Sequence, residues 1–241
     1  MKKYVLSVDQ GTTSTRAILF SQNGEAVCGA ARPITQIYPR AGWVEHNPEE
    51  IFESVICVIK DVLQKASATA EDIDCVGITN QRETTVIWNK KTGKPVYNAI
   101  VWQCRRTSDF CNELISRGAD KLIYEKTGLV ADAYFSASKI KWILDNAVGA
   151  REAALRGELA FGTIDTYLLW RLSGGKIFKT DFTNASRTML FDIRALCWDD
   201  ELLSLFSVPK NILPEVCPSS HLFGYTDENI FGAKVPVTGV A

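Results

Sequence analysis

The stretch from Tyr4 to Pro33 constrains the fold more than any other part of this chain. An apolar run, Tyr4 to Val8, reads as a buried strand and stops at the polar turn Asp9-Gln10-Gly11-Thr12-Thr13. A second strand is expected through Ala17-Ile18-Leu19-Phe20. Ser21-Gln22-Asn23-Gly24 then reverses the chain, because Asn-Gly accepts the positive φ angles of a tight hairpin. A third strand follows from about Glu25 to Pro33. Three antiparallel strands with a polar loop between the first two argue against a dinucleotide-binding domain, which opens strand–helix–strand.

Beyond Pro33 helical and strand periodicities alternate. Asn47-Pro48-Glu49-Glu50 predicts a helix start, with Asn47 as cap, Pro48 at the first helical position and Glu50 completing a capping box. Ile51, Val55, Val58, Ile59 and Val62 continue at helical spacing. Cys75 to Thr79 resembles a central strand, and further strands are expected at Thr85–Trp88 and Ala99–Trp102. Helices are expected near Thr107–Arg117, Ser136–Asn146, Ala150–Arg156 and Thr163–Leu172, the last stopped by Gly174-Gly175. No repeat or low-complexity linker interrupts the 241 residues, so an α/β chain forming one domain is the economical reading.

Composition removes several function classes. Twenty-seven basic and 28 acidic residues give a formal charge of −1, which provides no field to draw in nucleic acid. Lys90-Lys91 and Arg105-Arg106 are short cationic pairs and read as solvated surface. Seven cysteines, an odd number without a C-x-x-C pair, are expected to be reduced thiols rather than zinc ligands. No stretch approaches the roughly 20 apolar residues of a spanning helix, so stable membrane insertion is not expected and a cytoplasmic location is.

Four clusters could carry chemistry. Asp9 at a strand end could hold hydrated Mg²⁺. The hydroxyls of Thr12, Thr13 and Ser14, with the Arg16 guanidinium, could grip phosphate, and Gly11 would allow close approach. The same residues also make a plain hairpin turn. Arg82 and Glu83 could donate to and accept from the hydroxyls of a polyol, or could pair at the surface. Trp102 could lay its apolar face on a small carbohydrate, or belong to the core. Tyr134 could present its hydroxyl just before a helix capped by Ser136, although that segment also reads as a packed amphipathic helix.

Taken in order, several segments resemble the carbohydrate kinases of the FGGY family, and within it the members that phosphorylate glycerol. They are Ser7-Val8-Asp9-Gln10-Gly11-Thr12-Thr13-Ser14, Gly42 to Pro48, Gly77 to Thr85, Tyr97 to Thr107, Tyr134 to Asn146, Phe161 to Thr166 and Thr183 to Leu190. The resemblance covers essentially the whole chain. It implies a ribonuclease H-like fold, shared with actin and hexokinase, and ATP-dependent phosphorylation of glycerol to sn-glycerol 3-phosphate. Thr12, Thr13, Ser14 and Arg16 would contact the nucleotide phosphates, and Asp9 would sit beside Mg²⁺. Arg82, Glu83 and Tyr134 would hold glycerol, with Trp102 against its carbons. Larger sugars, or a non-catalytic ATP-dependent binding role, are the alternatives. A homo-oligomer is expected when the protein is intact.

Residues 1–241 would then form the family's amino-terminal, glycerol-binding domain. The aspartate expected as general base and the nucleotide-binding domain would both lie beyond Ala241, leaving this stretch inactive alone. Ala133 and Ala137 stand where the resemblance leads one to expect Pro and Gly, which bears on loop rigidity around Tyr134.

Overall fold

The computed structural model describes residues 3–241. The three opening strands form as expected: β1 (Tyr4–Gln10), β2 (Ser14–Ser21) and β3 (Ala26–Pro33), joined antiparallel. They continue into a six-stranded mixed sheet with β4 (Ile73–Asn80), β5 (Ser220–Tyr225) and β6 (Pro236–Val240), in the order β5-β6-β4-β1-β2-β3. β4 runs parallel to both β1 and β6, which makes it the central strand that its apolar run suggests.

Period-2 alternation sends one side chain set of each strand to each face. Leu6 and Val8 of β1 and Ala17 and Leu19 of β2 are buried under helix α1 (Pro48–Lys65), and Val76 and Ile78 of β4 are buried in the same core, where the helix Ile164–Leu172 packs on that strand. Ile51, Val55, Val58, Ile59 and Val62 supply α1's share of that core. Burying such side chains stabilises the layer by roughly 1.5–3 kcal/mol each, and a charge at Val58 would be stranded there. Thr15 and Ser54 join β2 to α1 through hydroxyls 2.6 Å apart. Asn47 caps α1 by accepting from the Glu49 N–H at 2.9 Å. Glu50 does not complete a capping box: its Oε1 accepts the Thr35 N–H at 2.8 Å, so the carboxylate fastens the preceding loop instead.

The opposite face carries Ser7 and Asp9, half-buried, with Arg16 and Thr79 exposed. Asp9 lies across from Arg16 on β2 and from Thr79 on β4.

A second core lies beside the sheet, built by α2 (Ser136–Asn146), shorter helices and connecting loops. The two cores meet along a two-stranded ribbon, Val86–Asn89 against Leu159–Gly162. Val86, Trp88 and Ala160 enter the first core, while Ile87, Leu159 and Phe161 enter the second. The Thr85–Trp88 expectation therefore survives as Val86–Asn89, but outside the main sheet. Ala99–Trp102 shrinks to Ala99–Ile100, paired with Glu45–His46, and Trp102 falls in a turn. Helix α3 (Ile164–Leu172) ends before Gly174 and Gly175, both at positive φ as a glycine stop requires.

Arg106 corrects the surface reading of its pair. Its side chain is fully buried, 3.9 Å from the Trp43 ring centroid and 4.6 Å from that of Trp142, and 2.6 Å from Glu45. Arg105 stays half exposed and pairs with Asp132 at 2.6 Å. All seven cysteines are unbridged. Among the described residues no helix is long and apolar enough to cross a membrane.

Candidate active site

The site gathers at the end of the sheet where β1 and β4 stop. After Gln10 the chain turns through Gly11, Thr12 and Thr13 into β2. The Gly11 N–H is consumed inside this turn, donating to the Ser14 carbonyl at 2.9 Å, so Gly11 shapes the turn rather than offering a free donor. Thr12 and Thr13 have backbone N–H groups that donate to no described residue. Unpaired N–H groups and hydroxyls on one tight turn form an anion-binding concavity.

A closed ring of hydrogen bonds joins this turn to the other segments. The Trp102 indole N–H donates to Thr12 Oγ1 at 2.9 Å, and the Trp102 backbone N–H donates to Thr84 Oγ1 at 3.3 Å. Thr84 in turn donates to Gln81 Oε1 at 2.9 Å. Gln81 Nε2 reaches Gln10 Oε1 at 3.0 Å, the Gly11 carbonyl at 3.3 Å and His46 Nδ1 at 3.2 Å. His46 Nε2 lies 2.9 Å from Gln36 Oε1, and Gln36 Nε2 donates to the Thr12 carbonyl at 2.9 Å. Because Trp102 occupies the Thr12 oxygen as a donor, the Thr12 proton is left to point at a ligand. That polarity suits an anion.

Beyond Gln81 the backbone kinks. Glu83 has φ +63°, and the Thr84 N–H donates to the Arg82 carbonyl at 2.8 Å across it. A non-glycine residue in this region is strained, and such strain concentrates at functional sites. The kink buries Glu83, 3% exposed, and leaves Arg82 exposed without a side-chain partner among the described residues. Arg187 Nε donates to Glu83 Oε1 at 2.6 Å, while the second carboxylate oxygen has no described partner and can accept from a hydroxyl.

Tyr134 closes the group, its ring centroid 5.2 Å from Trp102 and its hydroxyl without a described partner. Several bonds hold its loop, among them the Tyr134 N–H to Asp132 Oδ1 at 2.7 Å, Ser136 Oγ to the Glu83 carbonyl at 3.1 Å, and Lys139 Nζ to the Tyr134 carbonyl and, at 2.8 Å, to the Phe135 carbonyl. Lys139 is fully buried, and burial pushes its pKa down to about 7 against the opposing pull of Glu83. Ala133 and Ala137 are also fully buried, and Ala137 N–H donates to the Thr188 carbonyl at 2.8 Å. The loop is thus pinned without Pro or Gly.

Thr12, Glu83, Trp102 and Tyr134 therefore form one connected group. Thr13 and Arg16 are exposed and Ser14 half-buried on the turn side, with Arg82 exposed on the other. Asp9 is a lone half-buried carboxylate at the sheet end, with no described partner. No cluster of three or more His, Cys, Asp or Glu suited to a metal exists among the described residues. A single carboxylate fits Mg²⁺ held largely by water and phosphate oxygens. Three residues of the group, Gln36, His46 and Arg187, had no role in the sequence reading, and Gln81, expected there only as part of the Gln81–Thr84 polar cluster, is its hub. His46 and Arg187 stood inside segments that carried the family resemblance, and a histidine or lone arginine there was the only signal. Burial, with the loss of solvation it brings, lowers the His46 pKa to about 4, so the ring is neutral.

Comparison with known proteins agrees with this geometry. The model of the "FGGY family of carbohydrate kinases, N-terminal domain" matches residues 4–241. A glycerol kinase of Caldanaerobacter subterraneus subsp. tengcongensis is 60% identical over 241 residues, covering 100% of this chain and 48% of the relative. The crystal structure of Plasmodium falciparum glycerol kinase with ADP superposes with a TM-score of 0.93 at 33% identity, over 98% of this chain and 48% of that one. A gluconate kinase from Lactobacillus acidophilus, 24% identical, shares the fold with a TM-score of 0.85 over 99% of this chain and 48% of its own. The chain thus spans about half the length of the relatives it matches. With the family's model covering all but its first three residues, the chain belongs to the FGGY family of carbohydrate kinases, as the N-terminal domain of that family.

Proposed function

We propose that the complete protein phosphorylates glycerol with ATP, giving sn-glycerol 3-phosphate, and that residues 1–241 supply the glycerol-binding domain. The observation that carries this reading is the 2.9 Å bond from Trp102 to Thr12, which ties an anion-accepting turn to the group that includes Glu83 and Tyr134. Phosphoryl transfer needs little from a protein beyond in-line placement and charge stabilisation, so two such subsites in contact are its central requirement.

In this reading Thr12, Thr13, Ser14 and Arg16 bind the ATP phosphates. Arg82 donates to a glycerol oxygen, Glu83 accepts from a hydroxyl through its unpaired oxygen, and Tyr134 offers its phenol. Trp102 covers the carbon skeleton. Mg²⁺, held through water by Asp9, would neutralise charge on the phosphate oxygens. The base for the attacking hydroxyl and the adenine pocket belong to sequence after Ala241. The intact protein acts in the cytoplasm as a homo-oligomer.

The test is ADP release by the complete gene product, coupled to a dehydrogenase readout, against a panel of glycerol, other polyols and aldoses or ketoses. Glycerol should give the largest kcat/KM. A sugar outrunning glycerol would move the assignment elsewhere in the family, and no turnover with any acceptor would end it.

A further inference from the structure

His46 touches neither proposed subsite, yet it is 1% exposed and bonded to both sides of the group. Its two nitrogens are not interchangeable. The Trp102 backbone N–H can only donate, so Thr84 Oγ1 accepts from it and passes its own proton to Gln81 Oε1. Gln81 Nε2 is then a donor, its two protons shared among Gln10 Oε1, the Gly11 carbonyl and His46 Nδ1, so the ring nitrogen facing it carries the lone pair. On the far side Gln36 Nε2 donates to the Thr12 and Ile34 carbonyls, which leaves Gln36 Oε1 to accept from His46 Nε2–H. A single neutral tautomer satisfies the ring, and the imidazolium cannot, since its Nδ1–H would face Gln81 Nε2, an amide nitrogen that only donates.

We propose that His46 is a positioning residue, which holds the phosphate turn through Gln36 and the Arg82-Glu83 segment through Gln81 in one fixed spacing. This rests on the proposed kinase activity. The role is geometric: His46 moves no proton and contacts no substrate. Without it Gln36 and Gln81 each lose a partner, the Thr12 carbonyl and Gly11 carbonyl lose their anchors' orientation, and the two subsites can drift apart. A drift of about 1 Å between reacting groups can reduce turnover about 100-fold while leaving each ligand's own contacts in place.

The experiment uses the complete gene product and the variants His46→Phe and His46→Gln. Phe keeps a planar ring and removes both bonds, whereas Gln restores one acceptor and one donor. With glycerol and ATP, His46→Phe should lose kcat by on the order of 100-fold with the glycerol KM changed less than about 3-fold. His46→Gln should recover most of that loss. Nitrogen NMR of the wild-type imidazole should report protonated Nε2 and bare Nδ1 from about pH 5 to about pH 8. An unchanged kcat in His46→Phe, a folded His46→Gln with no recovery, or an Nδ1–H tautomer overturns the proposal. If His46→Phe does not fold, the Gln variant and the tautomer decide. Absence of wild-type turnover would instead count against the kinase reading, and the tautomer measurement would still judge the ring.

Discussion

Trp102 uses two parts of one side chain for two tasks, which makes them separable. Its ring faces Tyr134, and its N–H holds Thr12. Trp102→Phe keeps an aromatic face and removes one neutral hydrogen bond, an effect of about 1 kcal/mol or about fivefold. Steady-state kinetics of the complete protein should show that factor in the ATP dependence, with the glycerol KM nearly constant; the opposite split would detach the indole from the phosphate turn. Arg187 gives a second residue-level case. Arg187→Met leaves Glu83, 4% exposed as a side chain, charged without its partner. Chemical denaturation should show a loss of about 2–3 kcal/mol, less than the roughly 3–5 for a fully buried pair because Arg187 keeps 29% of its surface. Adding Glu83→Gln should return much of the stability and none of the glycerol affinity. Adjacent Arg82 and Glu83 were legible as a polar pair from sequence, but the real partner of Glu83 lies 104 positions away. No local pattern encodes such a bond, and the φ of +63° that turns Glu83 inward has no signature either.

At the scale of elements, the segment between β3 and α1 is held by side-chain bonds rather than by regular structure, and one of them depends on protonation. Gln36 and His46 tie it to the phosphate turn, and Glu50 fastens its start at Thr35. The folded His46 pKa of about 4 lies below the ordinary 6.5, so the unfolded chain binds a proton that the folded chain refuses between those values. The contribution is fully present above about pH 6.5 and is lost as pH falls through 4, on the order of 3 kcal/mol in all. The stability difference between wild type and His46→Gln should shrink over that window; a constant difference would mean that His46 is not held neutral. Strands and helices with strong periodicity, such as β1 to β3 and α1, could be read directly from sequence because burial of one face repeats along them. The ribbon at Val86–Asn89 could not be assigned to a sheet, since its residues are apolar on both sides. That two-sided pattern has a physical cause: the ribbon separates two cores and feeds both.

For the whole molecule the decisive feature is how much of the candidate site faces solvent. Arg16 and Thr79, which flank Asp9 on the neighbouring strands, are exposed, as are Thr13 on the turn and Arg82 beyond the end of β4. Each of these groups meets water before it meets a ligand. Hydrogen bonds to glycerol then replace equally good bonds to solvent, and the charges that should stabilise a transferring phosphoryl group act through a high dielectric. Closure by a partner domain would remove that water and strengthen every interaction at once. Residues 1–241 expressed alone should therefore fold cooperatively yet show no ADP release above the buffer rate with glycerol and ATP, and calorimetry should detect only weak glycerol binding. The complete gene product, assayed beside it at equal concentration, supplies the comparison. Turnover by the isolated stretch near that of the complete protein would mean that the base and the water-excluding surface are already within these residues, and the division of labour between the two halves of the protein would have to be abandoned.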